Sequence, residues 1–208
     1  MSFIEDTYFT GEIKLWEIGT GKVNNSNLTQ AIAQYEPEIL KMLLGYKLYS
    51  LLIADLNGSG IPQTQKYIDL VNGKEFTHEI DGQTLTLKWE GLKNSAKLSL
   101  IAYYVYYKYV ERDITRAYGS GVSMAKPSEG WDRASAVNKL CSTWERMRDL
   151  YGKIPPELKS YYKVPTPVAE ISGPFDYEPS AFNFLYANQS DYPDWIFTPL
   201  WNLNAFGI

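Results

Sequence analysis

The chain has 208 residues, 45% hydrophobic and 21% charged, which is typical of a soluble globular protein with room for one domain plus extensions. Its formal net charge is −4 with no basic stripe, which argues against a protein that grips nucleic acid through phosphates. A single cysteine excludes an internal disulfide. No secretion signal is visible, and no apolar stretch approaches the roughly 20 residues of a membrane span.

Residues 1–26 read as an N-terminal extension, in which alternating polar and apolar residues favour a short strand over 12–18. A helical domain is predicted from residue 27 to 161. Asn27 is expected to cap a short helix over 28–35, and Pro37 to open a second helix. That second helix is predicted from apolar residues at steps of three and four, namely Ile39, Leu40, Leu43, Leu44, Leu48, Leu51 and Leu52.

The next elements are predicted from turn signals and apolar periodicity. A third helix is expected over 62–71, and the Asp81-Gly82 pair predicts a β-hairpin over 75–89. A fourth helix over 92–117 carries apolar residues on several sides and is expected to be central. A Gly-rich loop over 118–130 and a fifth helix over 132–151 follow. The pattern predicts a mainly α domain of four or five helices with one hairpin.

The segment 162–208 holds 11 of the 31 aromatic residues and 6 of the 11 prolines, without a sustained helix or strand period. Such a segment cannot build its own core, so it needs a surface to lie on. That surface is either its own domain or another chain. The second alternative predicts an extended arm that anchors in a neighbouring subunit. Its candidate partner-binding residues, together with three from the Gly-rich loop, are Phe175, Tyr177, Phe182, Phe184, Tyr186, Trp195, Phe197, Trp201, Tyr118, Val122 and Met124.

No catalytic, metal-binding or cofactor-binding constellation is predicted, so we do not expect an enzyme. Residues 55–60 copy half of an EF-hand loop, but Lys66 replaces the bidentate acid, which favours a helix-ending turn. His78 is the only histidine and is expected to be solvated on a hairpin strand. Cys141, in the middle of the fifth helix, is expected to be a core residue.

Four stretches, in this order, resemble a family of small structural proteins of tailed phages, including the crAss-like phages of gut Bacteroides. These stretches are Leu44–Tyr49, Leu70–Phe76, Lys88–Asn94 and the tyrosine-rich Ala102–Tyr109. The resemblance covers about residues 36 to 150, and the family resembles the head–tail connector proteins, also called neck, adaptor or ring proteins.

The resemblance implies a connector-type helical domain with a projecting hairpin, assembled as a ring, commonly twelve-fold, between the portal and the tail. The expected function is then a structural virion protein, made in the host cytoplasm, through whose ring DNA passes without specific binding. Portal and other neck or tail proteins are the expected partners. The alternative is a soluble binding or regulatory module that uses its aromatic tail on a partner protein.

Overall fold

The computed structural model describes residues 2–15, 25–80, 83–118, 121–124, 133–152, 166–167 and 179–200. The described residues are mainly helical, as predicted, and share one hydrophobic core. Helix α3 (Leu100–Ile114) packs against both α1 (Asn25–Asp55) and α4 (Arg133–Tyr151). The shorter helices are α2 (Gln65–Asn72) and α5 (Ala181–Ala187).

The N-terminal residues are part of this core rather than a separate extension. Residues 2–15 contain two 3₁₀ turns, Asp6–Tyr8 and Gly11–Ile13, so the strand predicted over 12–18 is wrong in its described part. Their apolar side chains are buried, and the carboxylate of buried Glu36 accepts hydrogen bonds from the Ser2 hydroxyl and the Phe3 and Ile4 amides. Burial raises the pKa of Glu36, an effect that these hydrogen bonds oppose.

Helix α1 differs from its prediction in two places. It runs through Pro37, where the sequence indicated a boundary between two helices. Proline removes one helical hydrogen bond. Leucines and isoleucines before and after Pro37 are nevertheless buried, and their packing stabilises a continuous helix there. The interruption lies instead at Gly45, whose φ of 77° and ψ of 160° are not helical.

The stretch 55–64 is a helix-ending turn, as predicted. The Asn57 side chain accepts hydrogen bonds from the amides of Ser59 and Ile61 at 2.9 and 3.0 Å. The Asp55 carboxylate accepts the amides of Gln63 and Thr64, the latter at the start of α2. These oxygens therefore stabilise the turn and the first turn of the next helix.

Strands β1 (Lys74–Ile80) and β2 (Gln83–Trp89) pair antiparallel and confirm the predicted hairpin. Its base interlocks with the end of α2, because the Trp89 Nε1 donates to the Leu70 carbonyl at 2.9 Å. Gly73 and Gly91 permit this contact. A Cβ atom on Gly73 would lie 2.4 Å from the Trp89 carbonyl oxygen, and one on Gly91 would lie 2.5 Å from the Val71 carbonyl oxygen.

Helix α3 is central, with residues 100–107 buried throughout. It begins at Leu100 rather than Leu92 because Ser99 caps it: the Ile101 amide donates to the Ser99 hydroxyl at 3.3 Å. It ends at Ile114, where strand β3 (Thr115–Tyr118) begins and pairs with β4 (Gly121–Met124). In its described part, the predicted Gly-rich loop thus belongs to a second antiparallel strand pair.

Residues 179–200, which we call the aromatic strap, contain α5, a 3₁₀ turn at Gln189–Asp191 and strand β6 (Ile196–Phe197). The strap lies across α1, α4 and β1. Strand β6 pairs with β5 (Thr166–Pro167). The prediction of an extended arm is therefore wrong for residues 179–200, which form a folded part of the domain.

Candidate partner-binding surface

Most of the predicted partner anchors that the structure describes lie in the chain's own core. Phe182, Phe184, Trp195 and Phe197 are each at most 3% exposed, and Tyr186 is half-buried. Phe182 is the centre of an aromatic cluster, with ring centroids 5.5 Å from Trp195 and 4.8 Å from Phe197. These side chains need a surface, as the sequence indicated, but their own domain supplies it.

The strap docks at the interruption of α1. A break at Gly45 leaves nearby helix carbonyls without their usual amide partners. The Trp195 Nε1 donates to the Leu43 carbonyl at 2.7 Å, and the Thr198 amide donates to the Met42 carbonyl at 2.8 Å. Ile196 lies directly over Gly45, where a Cβ atom would be 2.9 Å from the Ile196 Cβ. The glycine thus both breaks the helix and makes room for the strap.

A second glycine, at the end of α4, also makes room for the strap. Gly152 has a φ of 125°, and a Cβ atom there would lie 2.4 Å from the Phe182 Cβ. The neighbouring Tyr151 is fully buried, and its hydroxyl donates to the Thr198 carbonyl at 2.6 Å. Burial raises the pKa of Tyr151 well above its ordinary value, so this hydroxyl remains a hydrogen-bond donor.

Helix α5 covers the inner face of the first hairpin. The Phe184 ring packs against Phe76 and Trp89, with centroids 5.5 and 6.0 Å apart. His78, on the same face, is 6% exposed and meets the Tyr186 ring edge-on. The prediction of a solvated His78 is wrong, because α5 shields the strand face that the sequence suggested was open. Burial lowers the pKa of His78.

The remaining predicted anchors are not in the described core. Phe175, Tyr177 and Trp201 lie outside the described residues. Tyr118, Val122 and Met124 lie on strands β3 and β4, of which the structure describes the backbone. Their predicted role in partner binding stays a prediction.

The described residues have four exposed large hydrophobic side chains, and all belong to one stretch of chain: Tyr46, Leu51, Ile53 and Ile61, at 75, 42, 41 and 54% exposure. The first three lie on α1 after its interruption, and Ile61 lies in the following turn. The amides of Asn57 and Ile61 each donate to an oxygen of the other residue, which holds Ile61 beside the end of α1. We call this set the α1 outer surface.

Two neighbouring helix stripes form most of the α1 outer surface. Residues 46, 50 and 53 follow one stripe, residues 47, 51 and 54 follow the next, and all six are exposed. Lys47 is the only charged residue among the six, and it is paired with Asp194 of the strap at 2.5 Å. Solvent-facing helix stripes ordinarily carry several charges. Such an apolar face is typical of a surface that another molecule covers.

The apolar period of the sequence does not predict this surface, because it places Leu51 on the core face. In an uninterrupted helix, Leu51 shares a face with Leu44, seven residues earlier. After the non-helical residue Gly45, Leu48 and Leu52 are buried whereas Leu51 is exposed. The signal that could have revealed it is the glycine within an otherwise regular apolar pattern.

Other candidate sites have little to hold a ligand. A groove of about 420 Å³ between β1, β2 and the end of α5 is open, with Lys74, Glu75, Thr77 and Asn188 among its lining. Cys141 is half-buried rather than in the core, and burial raises the pKa of its thiol. Within the described ranges, no three His, Cys, Asp or Glu side chains are grouped to hold a metal ion. No helix in those ranges is long and apolar enough to cross a membrane.

Comparison of the chain with protein-family models, with curated proteins and with solved structures finds no match.

Proposed function

We propose that the chain is a structural virion protein that assembles as repeated copies into a ring of the head–tail connector, between the portal and the tail of a phage. DNA passes through this ring without specific binding. The observation that carries the assembly part of the proposal is the α1 outer surface, an apolar face on a domain whose other large apolar side chains, among the described residues, are at least partly buried.

The phage part of the proposal rests on the resemblance of the four sequence stretches. Two of them are in contact in the fold: Leu70–Phe76 and Lys88–Asn94 interlock at the hairpin base through the Trp89 side chain and the Lys93 amide, which donates to the Val71 carbonyl at 2.9 Å. A third, Leu44–Tyr49, includes the glycine on which the strap docks. Three of the four stretches that carry the resemblance therefore lie at junctions of the fold.

The charge balance fits a ring that DNA traverses. The chain has 20 basic and 24 acidic residues. A channel lined by such a protein is neutral or acidic and does not hold the duplex by counterion release. A structural role also agrees with the open groove and the half-buried cysteine, neither of which offers an activated nucleophile or an enclosed pocket.

The experiment that tests this proposal has two parts. Light scattering of the purified chain at increasing concentration measures its mass, and we expect a closed assembly of many copies. Labelled antibody against the chain, imaged on phage particles by electron microscopy, should mark the neck. A chain that stays monomeric and is absent from particles would instead favour the soluble binding module.

A further inference from the structure

We infer that the α1 outer surface of one copy binds residues 201–208 of a second copy. This inference deepens the proposed function and rests on it, because it names the two parts of the chain that join neighbouring copies. Residues 201–208 lie outside the described residues.

The segment and the surface agree in chemistry. The sequence Trp201-Asn-Leu-Asn-Ala-Phe-Gly-Ile208 has no charged side chain and four large apolar ones. The α1 outer surface exposes four large apolar side chains, and its single lysine is already paired with Asp194. A segment without charged side chains can cover such a face without burying an unpaired charged side chain. A charged partner segment would lose hydration there and gain no ion pair.

The strap runs away from the α1 outer surface of its own copy as it approaches residue 200. Along the strap, Asp194 contacts Lys47, Ile196 lies over Gly45, and the Thr198 amide binds the Met42 carbonyl. The strap thus runs antiparallel to α1, toward the N-terminal half of that helix. The α1 outer surface begins at Tyr46 and extends the opposite way.

The segment is long enough to cover the α1 outer surface. From Met42 to Ile53, α1 extends about 16 Å at 1.5 Å per residue. Eight extended residues span about 26–29 Å. Covering its own surface would require the segment to reverse over the strap that has just docked, whereas a neighbouring copy can present its surface in the direction in which the strap already runs.

Binding of this kind is head-to-tail, because each copy offers one surface and one segment. Such heterologous contacts close into rings when the rotation between copies allows it. The α1 outer surface also adjoins the docked strap through the Lys47–Asp194 pair. A neighbour's segment would therefore bind next to the receiving copy's own strap.

The test uses two variants of the chain, both of which we expect to keep the described fold. The first is truncated after Leu200 and lacks the segment but keeps the surface. The second, Leu51→Gln/Ile53→Gln, keeps the segment and makes the surface polar at exposed helix positions, where glutamine is at least as good a helix former as isoleucine. Matched controls are Asn202→Ser/Asn204→Ser, which keeps the apolar residues of the segment, and Ala33→Gln, at an exposed position on the first half of α1.

We expect each variant alone to be monomeric by light scattering and both controls to assemble like the parent chain. Mixing the two variants should give a 1:1 heterodimer and nothing larger, because only one complementary surface and segment remain. Assembly of the truncated chain, or absence of the heterodimer in the mixture, would overturn the inference while leaving self-assembly intact. A parent chain that is monomeric at every concentration would overturn the proposed function as well.

A second measurement does not depend on the folding of any variant. A synthetic peptide with the sequence of residues 201–208 is added to the assembled parent chain, and a peptide of scrambled order serves as control. The peptide should compete for the α1 outer surface and lower the mean mass as its concentration rises, whereas the scrambled peptide should not. An unchanged mass at saturating peptide would argue against binding at this surface.

Discussion

The Gly45→Ala substitution tests whether docking of the strap depends on the interruption of α1. The Gly45 backbone, at φ 77° and ψ 160°, lies in a region that is essentially restricted to glycine, and a non-glycine residue there carries strain of order 1–3 kcal/mol. The new Cβ would also lie 2.9 Å from the Ile196 Cβ and 3.1 Å from its carbonyl oxygen. Neither strap atom is the end of a flexible side chain, so the strap itself has to move.

Movement of the strap weakens the two hydrogen bonds that it makes with α1. The Trp195 Nε1 and the Thr198 amide donate to the Leu43 and Met42 carbonyls, and a buried carbonyl left without its donor costs about 1–3 kcal/mol. Strain and one lost hydrogen bond together predict a loss of about 2–6 kcal/mol in the free energy of unfolding.

Alanine substitutions at two other glycines separate the effect of backbone strain from that of the steric clash with the strap. Gly11 has a φ of 58° with nothing near its would-be Cβ, so Gly11→Ala measures backbone strain without a clash, and about 1–2 kcal/mol is expected. Gly58 has neither a left-handed φ nor a near neighbour, so Gly58→Ala should change stability by less than about 0.5 kcal/mol. The assay is urea unfolding at a concentration where the chain is monomeric. If Gly45→Ala costs no more than Gly11→Ala, the strap does not dock as described.

Two further predictions concern buried polar groups. Trp195→Phe should destabilise the chain by about 1–3 kcal/mol more than Trp144→Phe, because the Trp195 Nε1 donates to Leu43 whereas the buried Trp144 Nε1 has no hydrogen-bond partner among the described residues; equal losses in urea unfolding would contradict this. Burial lowers the pKa of His78 from 6.5, so the unfolded chain binds its proton first as the pH falls. The stability contributed by the neutral histidine is complete above pH 6.5 and is lost as the pH falls from 6.5 toward the lower folded-state pKa. The parent chain should therefore lose more stability than His78→Leu when thermal unfolding is compared at pH 7.5 and 5.5, and parallel pH profiles would count against a buried neutral His78.

Local signals predicted the parts of the fold that depend on few residues. The Asp81-Gly82 pair and the flanking alternation were enough for the first hairpin, and the period of apolar residues was enough for α4. These elements need no information from distant parts of the chain. The helix boundary predicted at Pro37 is wrong because it does depend on distant residues. Whether a proline ends a helix depends on how much apolar surface the flanking turns bury against other parts of the chain.

The candidate surface depended on a geometric detail that periodicity does not contain. The seven apolar residues that predict the second helix recur at steps of three and four from Ile39 to Leu52, yet Leu51 alone among them is exposed, on the far side of the interruption at Gly45. Ile196 lies on that glycine from more than 140 residues away in sequence. The interruption thus coincides with a long-range contact, which local apolar periodicity does not contain.

The aromatic and proline content indicates that residues 162–208 must pack on a surface. It does not indicate whether that surface belongs to the chain's own domain or to a neighbouring chain. For residues 179–200 the choice is made by two glycines, each of which leaves space that a strap residue fills: Gly45 under Ile196 and Gly152 against Phe182. A foreign arm could dock there only by displacing the strap, and the inner face of the hairpin, with His78, would then lose its cover. We therefore expect copies to contact one another through a surface that the docked strap does not cover. The α1 outer surface is such a surface, because it stays exposed while the strap is docked beside it through the Lys47–Asp194 pair.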